Sequence, residues 1–156
     1  MKKVALYYFN KRYFMICSKI LLAYDESEIA GRALEKAVEI IKTDAAIEID
    51  IIHIIDIPII SGIDQFVAKS IADNFNKHGE EVLDKARNHV KSLPNNCTTF
   101  LLEGKATPNI ILRHCKEQKC DLIIMGSRGL SGIKELLGSV SHTVIQQSPV
   151  PVLIVK

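Results

Sequence analysis

The residues with the clearest chemical signature are Met125-Gly126-Ser127-Arg128-Gly129-Leu130-Ser131-Gly132, followed by Gly138-Ser139-Val140-Ser141. Four of the chain's eight glycines fall between Gly126 and Gly138. Glycine permits positive φ and lets another molecule approach backbone amides closely. The stretch follows the apolar run Leu122-Ile123-Ile124 and leads into a segment with helical spacing. A strand, a glycine-rich turn and a helix start together form an anion site, because free N–H groups and the helix dipole both favour negative charge. That chemistry points to a nucleotide phosphate. The alternative is that these glycines serve only turn and cap geometry.

A second candidate is Asp25, at the end of the apolar run Ile20-Leu21-Leu22-Ala23. Its carboxylate suits ribose hydroxyls or Mg²⁺, and equally suits an Asx turn that prepares the next helix. Arg128 is the cation of the loop and reads either as a phosphate contact or as a solvated turn residue. His53, inside an apolar strand, reads as a hydrogen-bonded core histidine.

Several chemistries are disfavoured. No Gly-Lys-Ser/Thr follows the glycines, so a P-loop does not fit, and the pattern is not G-x-G-x-x-G. The serines Ser127, Ser131, Ser139 and Ser141 have no His/Asp partner by position and no nucleophile elbow. Cys17, Cys97, Cys115 and Cys120 show no metal-ligand spacing and read as small, reduced core residues of a cytosolic protein.

The elements that must position these groups alternate. Strands are expected at 20–23, 47–55, 98–102, 122–125 and 152–155. Helices are expected at about 28–42, 65–92, 108–118 and 140–147, the first capped by Ser27 and the third begun by Pro108. Alternation without hairpin signals predicts a parallel, doubly wound α/β sheet with helices on both faces, whose ligands bind beyond the strand carboxyl ends. The Asp25 and Gly126 loops both lie at such ends.

Length and composition fit one globular domain: 156 residues, 47% hydrophobic and 24% charged. The net charge of +2 comes from residues 1–14, whose Lys2, Lys3, Lys11 and Arg12 meet no acid. The remainder holds sixteen bases against eighteen acids, so no basic groove for nucleic acid is indicated. No apolar run is long enough for a membrane span. Residues 1–14, with five of the nine aromatics, are expected to be a poorly ordered extension preceding a domain at 15–156.

Lys19 to Glu28, Asp121 to Gly129, Gly138 to Ser141 and Pro149 to Val155 together resemble the universal stress protein family over residues 17–156. The resemblance implies a single-domain five-stranded parallel sheet in order 3-2-1-4-5, and a homodimer through the last strand, Val152–Val155. In the ATP-binding branch it places Asp25 on the ribose. Ala23, Ile54 and Met125 would lie near the adenine, and Gly126, Gly129, Gly138, Ser139 and Val140 on ribose and phosphates, with Mg²⁺ at the phosphates. The implied function is stress-response regulation through bound ATP, ADP or AMP, with little or no hydrolysis. A non-nucleotide interaction module or a weak ATPase are the alternatives. Two departures from the family pattern bear on the site. The spacer Leu130–Leu137 has eight residues where the ATP-binding pattern has nine, and Glu26 stands where the family usually has glycine.

Overall fold

The structure, a computed structural model, describes residues 17–129 and 137–156. The expected extension 1–14 lies outside the described residues. So does the spacer apart from Leu137.

Strands β1 (Lys19–Ala23), β2 (Glu48–Ile55), β3 (Cys97–Glu103), β4 (Leu122–Gly126) and β5 (Val152–Val155) alternate with helices. The helices are α1 (Glu28–Ile41), α2 (Gln65–Val90), α3 (Thr107–Glu117) and α4 (Ser139–Gln147). All strand pairs are parallel, in the order β3-β2-β1-β4-β5, as expected. Both sides of β1, β2 and β4 are covered, so the apolar runs of β1 and β4 are continuous, and that of β2 is interrupted by Asp50 and His53. Ile20, Leu22, Ile49, Ile51 and Ile124 pack on one face with Ala33, Leu34, Ala37 and Ile41 of α1 and Val82, Leu83 and Ala86 of α2. Leu21, Ile52, Ile123 and Met125 pack on the other with Ile111 of α3 and Val144 of α4. Strand order reverses at β1, whose neighbours are β2 and β4, and a crevice opens there beyond the carboxyl ends.

Two boundaries differ from expectation. Helix α3 begins one residue early, at Thr107, which puts Pro108 in the second helical position, where its missing N–H is still no loss. Helix α2 forms over the expected span, but its apolar residues do not all face the core. Burial is confined to Gly79 and beyond, while Phe66 is 83% and Val67 51% exposed. Helical periodicity identifies the helix but carries no information on where the sheet beneath it ends.

Asn95, in the turn before β3, ties that turn to the connection between α1 and β2. Its Nδ2 donates to the carbonyls of Ile41 (2.9 Å), Asp44 (3.0 Å) and Ile47 (2.9 Å). Three acceptors around one amide nitrogen also fix which way the side chain is turned. Asn95→Ala strands buried carbonyls and is expected to cost about 1–3 kcal/mol, read from the urea midpoint.

Asp121 ties the start of β4 to the start of β1. Its carboxylate accepts from the Ser18 amide (2.8 Å), the Ser18 hydroxyl (2.6 Å) and the Lys19 amide (2.9 Å). Burial pushes its pKa up, but these donors outweigh burial and hold it below the ordinary value. A carboxyl depressed in the folded state adds stability above its unfolded pKa and loses it as pH falls through the folded one. Stability is therefore expected to decline on acidification below about pH 3.8. Asp121→Asn should flatten that decline in urea titrations at successive pH values. Glu26, also held low by its hydrogen bond from Lys85, retains its own share.

Candidate functional site

The crevice is built from the two loops the sequence singles out. Register places Ala23 of β1 beside Met125 of β4 and Ile52 of β2, so the chain leaves three adjacent strand ends at one level. Beyond β1, the Asp25 carboxylate turns back on its own loop. Its Oδ1 accepts from the Ser27 amide (3.2 Å) and hydroxyl (2.6 Å), and the Ser27 hydroxyl accepts from the Ala30 amide (3.2 Å) to cap α1. The Asx-turn reading of Asp25 is therefore realised through Oδ1. Its Oδ2 faces Gly129, where a Cβ would lie only 2.5 Å from it.

This contact gives the physical reason for glycine at 129. Gly126, Gly129 and Gly138 are not among the residues of positive φ, so close approach rather than backbone freedom selects them. At Gly126 a Cβ would meet Ile29 Cγ2 at 2.9 Å and the Arg128 carbonyl at 3.0 Å, because α1 packs directly on the end of β4.

The loop is closed at its base. The Gly138 amide donates to the Ser127 carbonyl (2.7 Å), and the buried Ser141 hydroxyl donates to the same oxygen (2.8 Å). The Ser127 amide in turn donates to the Val155 carbonyl (2.7 Å). The shorter spacer thus leaves Gly138 seated against Ser127 and Arg128. The first-turn amides of α4 have no intrahelical acceptor and begin at the crevice, where Ser139, Val140 and Ser141 are lining residues.

Glu26 is the second departure, and its geometry accounts for the glycine usual there. It has φ +56°, a conformation that costs a non-glycine residue about 1–2 kcal/mol. Its carboxylate turns to α2, at 2.5 Å from Lys85 Nζ and 3.5 Å from His78 Nε2. The added negative charge is compensated there.

The structure gathers all ten expected residues around this one crevice: Ala23, Asp25, Ile54, Met125, Gly126, Arg128, Gly129, Gly138, Ser139 and Val140. It adds residues that the sequence reading missed. Thr107 and Ile111 arrive from α3, Ala30 from α1, and Tyr24 and Ile52 from the strand ends. His53 has both characters, since its Nδ1 donates to the Tyr24 carbonyl (2.8 Å) within the fold and the residue also lines the crevice. Thr107 had a usable signal, opening a helix directly after a strand; Ile111 had none beyond the ordinary apolar stripe.

Comparison with known proteins agrees with this fold. The profile of the universal stress protein family matches residues 17–156. The chain is 36% identical to universal stress protein YxiE of Bacillus subtilis, over 89% of its own length and 99% of the relative's. It belongs to the universal stress protein family. Among solved structures, protein MJ0577 superposes with a TM-score of 0.78 at 26% identity, covering 89% of this chain and 95% of that one. A family protein from Arabidopsis thaliana, solved with AMP bound, superposes with a TM-score of 0.66 at 21% identity, covering 89% of this chain and 91% of that one. The second likeness bears on the fold alone. In this family member, no helix among the described residues is long and apolar enough to cross a membrane.

Proposed function

We propose that the crevice binds an adenine nucleotide, ATP, ADP or AMP, as a regulatory ligand of a stress-response protein, with little or no hydrolysis. The observation that carries this reading is the Asp25–Gly129 contact, which sets a carboxylate oxygen against the glycine loop at the mouth of three strand ends. Asp25 Oδ2 would accept from ribose hydroxyls. The amides of Gly129, Gly138, Ser139 and Val140 would donate to ribose and phosphates, and Ala23, Ile54 and Met125 would flank the base. The likeness of the glycine motif to the ATP-binding branch of the family supports the choice of adenine nucleotide.

Mg²⁺ would enter with the phosphates. Among the described residues no group of three or more His, Cys, Asp or Glu side chains is placed to hold a metal. Arg128 is the Lys or Arg that lines the crevice among the described residues. Phosphoryl transfer usually recruits a clamp of several cationic groups and a positioned base. Regulation by binding is therefore favoured over turnover.

The outer edge of β5 would pair with a second copy to form a homodimer, burying Leu153, which is 37% exposed. The four cysteines are free thiols, in keeping with a cytoplasmic protein.

Isothermal titration of ATP with Mg²⁺ into nucleotide-free protein tests the site. Saturable heat is expected, lost in Asp25→Asn. Absence of both heat and thermal shift at millimolar nucleotide would overturn the reading and leave an interaction module of the same fold. Light scattering at tens of micromolar tests the dimer, and a monomer there would refute it.

A further inference from the structure

We propose that Cys115 and Cys120 form a redox site, at which a hydroperoxide converts two preassembled thiols into an intrachain disulfide. The helix-ending geometry of α3 makes the pairing. Lys119 takes φ +56° after the helix, the Cys120 amide donates to the Cys115 carbonyl (2.9 Å), and the Lys119 amide donates to the Lys116 carbonyl (3.3 Å). These two bonds and the left-handed residue define a Schellman motif, in which the side chains two residues beyond the cap and three before it pack together. In most proteins that contact is between two hydrocarbon side chains. Here both positions are cysteine.

The motif accordingly brings the Cys115 thiol against Cys120. The Cys115 S–H reaches the Cys120 carbonyl at 3.5 Å. Cys120 Sγ also lies 4.0 Å from Asp50 Oδ2. The neighbouring Cys120 holds the Cys115 thiol below its ordinary pKa, while Cys115, burial and the Asp50 charge push Cys120 up. The Asp50 carboxylate beside Cys120 disfavours a thiolate there, so Cys115 is the attacking thiol and Cys120 the resolving one. The other two cysteines are elsewhere. Cys17 lies in the core on the opposite face of the sheet, pushed up to about 11 by burial and the Asp121 charge, and Cys97 is on β3.

The reaction runs in two steps. Cys115 sulfur attacks one peroxide oxygen, the O–O bond breaks, and the departing alkoxide takes the thiol proton and leaves as the alcohol. Cys120 sulfur then attacks the sulfenic sulfur of Cys115, the S–O bond breaks, and hydroxide leaves with the Cys120 proton as water. Two thiols are oxidised by two electrons and one hydroperoxide is reduced. Both cysteines are buried in the folded state. They sit at the last turn of an eleven-residue helix and its exit, and reaction requires that end to open locally and admit a small oxidant.

Peptide mapping tests the proposal on the unmodified full chain. The protein is exposed to hydrogen peroxide, alkylated, and cut with trypsin, whose sites at Arg113, Lys116, Lys119 and Arg128 separate the two cysteines. The expected product is a reductant-sensitive linkage of His114–Lys116 to Cys120–Arg128, with Cys17 and Cys97 still alkylated. The same treatment in urea should scatter the pairings, which shows that the fold selects this one. In Cys120→Ala, dimedone should trap a sulfenic acid on Cys115. Full alkylation of Cys115 and Cys120 in protein whose methionines already carry sulfoxide would overturn the proposal, as would a linkage of either to Cys17 or Cys97.

Discussion

Gly129→Val is expected to abolish nucleotide binding while the protein stays folded. Gly129 is exposed, and its backbone is not in the left-handed region, so valine itself is tolerated by the chain. The obstacle is Asp25. A Cβ at 129 would lie 2.5 Å from Oδ2, and a carboxylate pinned through Oδ1 by both donors of Ser27 has little room to retreat. Either the carboxylate swings away from the ribose position or the loop lifts and takes its amides from the phosphates. Each charge-assisted hydrogen bond lost is worth about 1.5–3 kcal/mol, so losing two weakens affinity roughly a hundredfold or more. The fold should give up no more than the Asx turn, about 1 kcal/mol.

Titration calorimetry reads the first quantity and urea denaturation the second. Asp25→Asn provides the complement: the amide oxygen can still accept from Ser27, while the charge offered to the ribose is gone. Wild-type affinity in Gly129→Val would remove this contact from the site altogether. Gly126→Val is not an equally clean probe. Its side chain would strike Ile29 and the Arg128 carbonyl, mixing a packing defect into any binding loss.

The residues lining the crevice were largely legible in the sequence because close packing and helix capping there demand particular residue types. Neighbours crowd a side chain at glycines 126, 129 and 138, Ser27 caps α1, Asp25 ends a strand, and the structure brings these residues together. The strand order was less a matter of residue pattern, since alternation predicts a parallel sheet and only the family resemblance supplied 3-2-1-4-5. What the sequence hid were contacts whose meaning depends on distant partners. Glu26 reads as a second carboxylate beside Asp25, but its left-handed backbone turns it to Lys85, fifty-nine residues away. Phe66 and Val67 read as core, but lie on the half of α2 where burial has not yet begun. Asp50 is the clearest case. Within an apolar run it is one polar residue among isoleucines, and its partners are thirty-one residues before it and sixty-four after it.

Those partners make Asp50 the position where a single substitution should cost the most stability. Its carboxylate is buried, with Oδ1 3.1 Å from Lys19 Nζ and Oδ2 3.2 Å from His114 Nε2, which donates to it. His114 is itself buried, its ring 4.5 Å edge-on to Phe100. Asp50→Ala leaves the Lys19 ammonium and the His114 N–H facing an apolar core beside Cys120. Breaking a buried pair from one side costs about 3–5 kcal/mol, a large part of the ~5–15 kcal/mol that holds a typical domain. At roughly 2–4 °C per kcal/mol, the melting temperature should fall by about 6–20 °C.

Lys19, whose side chain is 18% exposed, can recover some hydration, which favours the lower part of that range. Replacing all three groups together, as Asp50→Leu, Lys19→Met and His114→Phe, should recover most of the loss, because removing the charges also removes their desolvation cost. If the triple variant is as unstable as Asp50→Ala, the network contributes net stability. If it recovers, the three groups cost the fold little together and much apart.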